Sequence, residues 1–161
     1  MTATLQSRIT PFLWFNQDAE AAVTLYTTIV PESRVTRIVR WPEGGPMPAG
    51  AILTMDFVLD GIPFTALNGG PQYKLTEAFS LSLSCDTQEE IDRYWDSLTA
   101  DGGAPSMCGW LRDPFGLSWQ IVPRNLGAWL SSGATAGPVM HALLSMRKID
   151  LAVLEAAAQC P

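Results

Sequence analysis

Residues 108–123, "CGWLRDPFGLSWQIVP", predict two short β-strands joined by a tight turn. The turn lies at Asp113-Pro114-Phe115-Gly116, where proline fixes φ and glycine permits a positive φ. After the turn, apolar and polar side chains alternate, as in a strand with one buried face. The apolar face carries Leu117, Trp119 and Ile121, and the opposite face carries Ser118, Gln120 and Val122. A carboxamide at Gln120 is therefore expected on the side that faces away from the core.

Two segments outside this hairpin share one helical pattern, with apolar residues at positions i, i+3, i+4 and i+7. "QDAEAAVTLYTTIV" has Ala22, Leu25, Tyr26 and Ile29 in these places, and "TQEEIDRYWDSL" has Ile91, Tyr94, Trp95 and Leu98. The second segment opens with Thr87 followed three residues later by Glu90, which is a capping-box pattern. Each helix follows a strand-like run and precedes further strands. The pattern predicts a β-α-β-β-β unit that occurs twice.

The remaining strands are bounded by turn residues. We expect them at about 34–41, 51–59 and 62–68 in the first half, and at about 106–112 and 116–122 in the second. Two loops rich in Pro and Gly, 42–50 and 68–78, are surface loops or lips over a pocket. After Pro123 the pattern becomes helical, with a last helix that Asp150 caps.

The two units can be aligned with each other from the sequence. Superposing their helical patterns places Pro11 on Ser80. Superposing their turns, "LDG" in the first half and "DPFG" in the second, places Thr65 on Gln120. These four positions lie on the first and last strands of the two units.

Composition narrows the class of protein. The chain has 161 residues, of which 47% are hydrophobic and 16% charged, and we expect a single domain over 1–161 with a sizeable core. The net charge of −6, with no run of Lys or Arg, argues against a nucleic-acid partner and against an anionic membrane surface.

Several features of the sequence bear on cellular location. The segment "MTATLQSRITPF" lacks the apolar stretch of a signal peptide, and no stretch approaches 18 apolar residues. The three cysteines, Cys85, Cys108 and Cys160, have no CxxC spacing and predict reduced thiols. With His141 as the single histidine, a His-rich metal site is difficult to build. We expect a cytoplasmic protein.

Three segments carry a resemblance to a known family: "ITPFLWFNQDAEAAVTLY", "FTALNGGPQYKLTEAFSLSLSCDTQEEIDRYWDSL" and the opening hairpin. Together they resemble the vicinal-oxygen-chelate superfamily, which includes glyoxalase I, extradiol dioxygenases and bleomycin-resistance proteins. More narrowly they resemble its PhnB-like branch, often labelled demethylubiquinone methyltransferase-like. The resemblance implies an α+β fold of paired βαβββ modules, whose mixed, curved sheet forms a cup. Module one would cover about 8–70, module two about 76–123, and a helical tail about 124–161.

In that superfamily, metal ligands project into the cup from the first and last strands of each module. Carried over to this chain, the four ligand positions are Pro11, Thr65, Ser80 and Gln120. Proline has no side-chain donor, hydroxyls are poor ligands, and one carboxamide offers a single neutral oxygen. A catalytic metal needs about three ligands from His, carboxylate or thiolate. The residues therefore predict a cup without a metal and without another cofactor.

The polar residues instead predict a pocket for a small neutral or polar molecule. The candidate ligand-binding residues are Gln120, Ser118, Ser80, Ser82, Thr65, Asp56, Trp110 and Tyr73. Two alternatives stay open at this point: Gln120 satisfies a neighbouring backbone group, and Asp56 acts as a general base or pairs with an arginine.

Three other functions are weighed against ligand binding without a metal. A metal-dependent lyase or dioxygenase conflicts with the four ligand positions. A methyltransferase that uses S-adenosylmethionine would normally have a glycine-rich turn, and no GxGxG occurs. An interaction role is compatible with a homodimer in which apolar tail residues pack on the partner: Val139, Leu143, Met146, Leu151 and Leu154. The ligand, and whether it is turned over, stay open.

Overall fold

A computed structural model describes residues 8–159. Cys160 and the N-terminal segment 1–7 lie outside the described residues, so the expectations placed on them stay predictions. The chain divides into two compact units between Leu75 and Thr76. That these units form a single domain also stays a prediction.

The first unit contains one helix and a four-stranded mixed sheet. Its elements are β1 (Phe12–Phe15), α1 (Ala19–Ile29), β2 (Arg34–Arg40), β3 (Ile52–Leu59) and β4 (Ile62–Asn68). The strand order is β1-β4-β3-β2, with β1 parallel to β4 and the other neighbours antiparallel. The turn between β3 and β4 has positive φ at Asp60 and Gly61, as a two-residue hairpin requires. β2 is an edge strand, and all of its residues are exposed.

The second unit repeats this arrangement. Its elements are β5 (Ser80–Cys85), α2 (Gln88–Thr99), β6 (Ala104–Pro105), β7 (Trp110–Arg112) and β8 (Ser118–Pro123), in the sheet order β5-β8-β7-β6. Thr87 caps α2 by accepting a hydrogen bond from the Glu90 N–H at 3.2 Å. The predicted α+β class, the mixed sheets and the repeated βαβββ unit are confirmed.

One strand differs from its prediction, because 106–112 is extended only from Trp110 onward. Cys108 and Gly109 have φ of 59° and 81°, and these left-handed conformations interrupt the predicted strand at the two residues. Their N–H groups donate to the carbonyls of Met146 and Arg147, at 2.8 and 2.7 Å. The backbone of Cys108 and Gly109 therefore binds the segment that precedes the last helix. The strand β6, which pairs with β7, lies earlier in the chain, at Ala104–Pro105.

Each helix covers one face of its own sheet. α2 buries the four residues that the helical pattern selects. α1 has the same spacing of buried residues, but they are Ala19, Ala22, Val23 and Tyr26, whereas Leu25 and Ile29 are half-buried. The buried face of α1 therefore begins three residues earlier than predicted. Leu111, Trp119 and Ile121 are buried on the helix-covered face of the second sheet, as the alternation predicts.

Strand pairing corrects the alignment of the two units. Thr65 lies opposite Phe12 on β1, and Gln120 lies opposite Ser82 on β5. The match of Thr65 with Gln120 is retained, because each lies four residues after the glycine of its turn. The first-unit counterpart of Ser80 is then Thr10, not Pro11. The helical patterns misplace this position because the connection from the first strand to the helix differs in length between the units.

The tail contains three short helices that belong to the second unit: α3 (Leu126–Ser131), α4 (Ala136–Leu144) and α5 (Leu151–Gln159). Asp150 caps α5, since its Oδ1 accepts the N–H of Val153 at 3.1 Å. Gln88 of α2 holds the start of α5, with Nε2 donating to the Ile149 carbonyl and Oε1 accepting the Leu151 N–H. Among the described helices, none is long and apolar enough to cross a membrane.

Of the five tail residues expected to meet a partner, three are placed differently, whereas Met146 and Leu151 are half-buried. Val139, Leu143 and Leu154 are buried within this chain, so they do not offer a surface to a second copy. The exposed apolar residues of the tail are Met140, Leu144 and Val153. The amphipathic faces of α4 and α5 are thus used mainly for packing inside the chain.

The turn of the opening hairpin depends on a buried carboxylate. Asp113 is 1% exposed, and its Oδ1 accepts the N–H groups of Phe115 and Leu117 at 2.9 and 3.0 Å. Its Oδ2 accepts the indole N–H of Trp119 at 3.0 Å. One side chain therefore ties the turn to the core side of β8, because hydrogen bonds to a buried charged acceptor are strong.

We expect Asp113→Ala to lower the free energy of unfolding by about 3 kcal/mol, since three buried donors lose their acceptor. Asp113→Asn should cost less, because it keeps an acceptor for the two backbone donors but turns an NH₂ group toward Trp119. Urea denaturation followed by tryptophan fluorescence measures both losses.

The matched control for these variants is Asp96→Ala, at an exposed position of α2. It should change the free energy by less than about 0.5 kcal/mol. Equal losses for Asp113→Ala and Asp96→Ala would contradict the role assigned to the turn carboxylate.

Candidate functional site

In the second unit, the predicted residues lie on the sheet face that α2 does not cover. Gln120 sits on β8 between Ser82 of β5 and Trp110 of β7. Its Nε2 donates to the Ser80 hydroxyl oxygen at 2.9 Å. Ser80 and Gln120, two of the positions that the resemblance marks as metal-ligand positions, thus bond to each other. Of the two alternatives for Gln120, a hydrogen bond to a backbone group is therefore not the one observed, because its partner is a side chain.

The accessibility of these residues is uneven. Ser82 is exposed, whereas Ser80, Trp110 and Gln120 are half-buried. Ser118 lies on the same face, but it is 1% exposed. Its hydroxyl is therefore enclosed in this conformation, and the accessible polar group of β8 is the carboxamide.

In the first unit, Thr65 and Asp56 meet on the corresponding face. The Thr65 hydroxyl donates to Oδ1 of Asp56 at 2.8 Å. Arg37 binds the other oxygen, with Nε and Nη2 at 2.7 and 2.6 Å from Oδ2. Since both carboxylate oxygens already accept hydrogen bonds, the arrangement favours the paired alternative for Asp56 over the general base.

The main chain of Pro11 is hydrogen-bonded to the main chain of Thr65. The Thr65 N–H donates to the Pro11 carbonyl at 3.0 Å. Pro11 and Thr65 are neighbours as expected, but they meet through the main chain and not through side chains that bind a ligand.

Tyr73 lies apart from these polar residues, although it belongs to the first unit. It is 67% exposed, and its ring packs edge-on against Trp14 with centroids 4.9 Å apart. The indole N–H of Trp14 donates to the Gly70 carbonyl at 2.9 Å. Tyr73 is thereby held beside the end of β1 by an aromatic contact.

Sequence reasoning missed two side chains that organise these surfaces. Arg37 escaped because its contact with Asp56 depends on an irregular register, which shifts between Val35 and Arg37. Asn68 falls where the predicted strand 62–68 meets the predicted loop 68–78, and no role is predicted for it, yet its Oδ1 accepts the Ala19 N–H at the start of α1, at 3.0 Å. The signal that would have found Asn68 is its position at the end of a strand, directly before Gly69 and Gly70.

The cysteines of the described chain, Cys85 and Cys108, are free. Cys85 is buried on the core side of β5. Burial, reinforced by the negative charges of Glu90 and Asp86, raises the pKa of its thiol to about 12. Cys85 therefore stays a neutral packing group at neutral pH and is unsuited to act as a nucleophile.

We expect Cys85 to be unreactive toward DTNB at pH 8 in a Cys108→Ser, Cys160→Ser double variant, because fewer than about one thiol in a thousand is ionised there. In urea the same thiol should react completely.

The raised pKa of Cys85 also means that the folded state holds this proton more tightly than the unfolded state. Stability should therefore fall as the pH rises from about 9 toward 12. Rapid reaction of the folded double variant with DTNB at pH 8 would contradict the raised pKa of Cys85.

Comparison with family models and with solved structures identifies proteins that are similar to this chain. A family model described as 3-demethylubiquinone-9 3-methyltransferase matches residues 7–122. The PhnB protein of Bacillus cereus, which bears the same methyltransferase description, is 33% identical, with a TM-score of 0.66 over 73% of this chain and 98% of that one. No protein with a curated description matches the chain.

Two more distant solved structures share the fold. Protein PA1353 from Pseudomonas aeruginosa is 23% identical, with a TM-score of 0.59 over 73% of this chain and 97% of that one. The fosfomycin resistance protein FosX from Mesorhizobium loti is 11% identical, with a TM-score of 0.54 over 80% and 99% of the two chains. The chain is thus an α+β protein with the glyoxalase fold that these structures share. Within that class, it belongs to the PhnB-like 3-demethylubiquinone-9 3-methyltransferase family.

The donor groups of this chain do not fit the metal that the family resemblance implies. Ser80 and Gln120 bond to each other, and Thr65 bonds to Asp56. The fourth position is Thr10 by strand register, and its hydroxyl is a poor metal ligand. Among the residues from 8 to 159, no group of three His, Cys, Asp or Glu is placed to hold an ion. We therefore derive no chemical step through a metal from these positions.

Proposed function

We propose that this PhnB-like protein binds a small neutral or polar organic molecule, and that Gln120 is the central contact. The observation that carries the proposal is the orientation of the carboxamide by the Ser80 hydroxyl on the sheet face that α2 does not cover. The bond uses one Nε2 hydrogen, and a carboxamide offers a second hydrogen and an acceptor oxygen. Such a pair of opposite functions suits an amide, an alcohol or a carbonyl of an uncharged ligand.

The neighbours of Gln120 support this role. Ser82 adds an exposed hydroxyl on one side, and Trp110 supplies an aromatic surface on the other. An apolar wall with a few placed polar groups is typical of small-molecule sites. In the first unit, Thr65 and Asp56 are candidates for further contacts, although their polar atoms are already paired with each other and with Arg37.

Binding without a metal follows from the same donor set. A metal-dependent lyase or dioxygenase would need two or three ligands that the hydroxyls of Thr10, Thr65 and Ser80 do not supply. Elemental analysis of the purified protein discriminates the two functions, since one stoichiometric divalent ion would favour the metal-dependent reaction.

The methyltransferase description of the family stays the alternative reaction. In this chain, the connection from β1 to α1 is Asn16-Gln17-Asp18, without the glycines that bring a cofactor close to the backbone. We therefore propose no S-adenosylmethionine site. Isothermal titration with that cofactor tests this, and micromolar binding would revive the alternative.

The proposal also covers partners and location. We propose a cytoplasmic homodimer that binds neither nucleic acid nor membranes. A net charge of −6 and the free thiols of Cys85 and Cys108 support this setting. Exposed apolar residues such as Met140, Leu144 and Val153 support an interface between copies.

We expect the native protein to have twice the mass of one chain in sedimentation equilibrium. Leu144→Glu should shift it toward the monomer, because a charge at a buried interface is costly. The matched control is Glu155→Gln, an exposed polar position of α5. A monomeric wild-type protein would overturn the proposed dimer.

The ligand proposal is tested by a thermal-shift screen of uncharged metabolites and antibiotics, with and without a chelator. A ligand at about 100 times its Kd should stabilise by about 2.7 kcal/mol. Gln120→Leu keeps the size of the side chain and removes its hydrogen bonds, so we expect at least about a tenfold loss of affinity for any hit.

The matched control is Gln159→Leu, the same change at an exposed position at the end of α5. It should bind the hit as the wild type does. A hit whose affinity is unchanged in Gln120→Leu, or one that disappears on adding chelator, would contradict the proposed site.

A further inference from the structure

The first unit contains a cavity of about 710 Å³ at one end of its sheet. It lies where β1 and β4 finish and where β2 passes into β3, and its wall includes the loop of residues 42–50. None of the eight residues selected from the sequence lines it. Its size is in the range of small-molecule sites.

The floor of the cavity is formed by a tightly held segment. Asn68 connects two elements, because its Oδ1 accepts the Ala19 N–H and its Nδ2 donates to the Ile52 carbonyl at 3.1 Å. Gly69 follows with the Trp14 indole directly against it. A Cβ there would lie 2.3 Å from the ring. Only glycine fits this contact, so the floor is preorganised.

The loop 42–50 is fastened at its base rather than loose. The Trp41 N–H donates to the Ala51 carbonyl at 2.8 Å, and the Gly50 N–H donates to the Trp41 carbonyl at 3.0 Å. Gly45 folds over the Trp41 ring, where an added Cβ would be 2.9 Å away. Of the two alternatives for this loop, surface loop or lip, the second fits better, since Met47 supplies a wall of the cavity.

The chemistry of the wall combines two opposite charges with an apolar part. Arg40 and Glu20 both line the cavity, and neither takes part in the ion pairs found among residues 8–159. Arg40 Nη1 donates to the Gly50 carbonyl at 2.9 Å, which uses one of five N–H donors and leaves others for a ligand. Trp41, Leu53 and Leu67 provide the apolar part.

We propose that this cavity is a second binding site, distinct from the Gln120 face, for a small zwitterion: an amino acid with an apolar side chain. The guanidinium of Arg40 binds the carboxylate, and the carboxylate of Glu20 binds the ammonium group. The apolar side chain lies against Trp41 and Leu67. A ligand that carries both charges leaves neither Arg40 nor Glu20 without a partner, whereas a simple anion or cation would satisfy one and be repelled by the other.

The test uses the full chain and three matched probes: L-phenylalanine, phenylalaninamide, which lacks the carboxylate, and N-acetyl-L-phenylalanine, which lacks the ammonium group. Isothermal titration should show that phenylalanine binds, and that the other two probes bind at least about tenfold more weakly. Arg40→Gln and Glu20→Gln should each weaken phenylalanine binding by a similar factor. Ala51→Phe, which fills the cavity and keeps the backbone contacts, should abolish it.

Two control variants test whether phenylalanine binds in this cavity and nowhere else on the chain. Arg34→Gln, the same change at the other end of β2, and Gln120→Leu should both bind phenylalanine like the wild type. In two-dimensional NMR spectra, the Trp41 indole and the Gly69 and Gly70 amide signals should shift on titration. The proposal is overturned if phenylalanine fails to bind at millimolar concentration, if Arg40→Gln binds it normally, or if Gln120→Leu loses it.

Discussion

Each unit depends on the parallel pairing of its first strand with its last. β1 lies beside β4 and β5 beside β8, so residues far apart in the sequence become neighbours within one sheet. Parallel neighbours need a long connection between them, and here the helix and the antiparallel strands provide it. This pairing brings Ser80 within hydrogen-bond distance of Gln120 and brings Thr65 next to the start of β1. The helix then covers one face of the sheet, and the polar side chains lie on the other face.

The same pairing governs the positions that the family resemblance marks as metal-ligand positions. Ser80 and Gln120 are joined by one hydrogen bond, and Thr65, Asp56 and Arg37 form a chain of hydrogen bonds. Neither arrangement supplies a set of three donors suited to an ion, and the Gln120 carboxamide keeps one hydrogen and its oxygen for other contacts. One fold commonly serves many functions through such differences in side chains.

Much of the fold can be predicted from the sequence, because strand alternation and turn residues are local signals. The helices, the hairpin and the polar face of β8 follow from them directly. The predicted buried face of α1 is correct at Ala22 and Tyr26 and wrong at Leu25 and Ile29, because a small buried residue such as Ala19 gives a weaker signal than Leu25. Other features depend on the folded chain: the bonds of Cys108 and Gly109 to the segment before α5, and the bulged register that delivers Arg37 to Asp56. The cavity of the first unit is formed by the ends of several elements, so no local sequence pattern predicts it.

The exposed edge strand β2 has a consequence for how this protein behaves at high concentration. Its sequence, "RVTRIVR", has arginines at Arg34, Arg37 and Arg40, of which Arg37 is paired with Asp56. A second copy that approached this edge to extend the sheet would bring Arg34 and Arg40 near the same charges on the other copy. Charged side chains of this kind are one of the ways in which exposed edge strands disfavour the addition of a further strand.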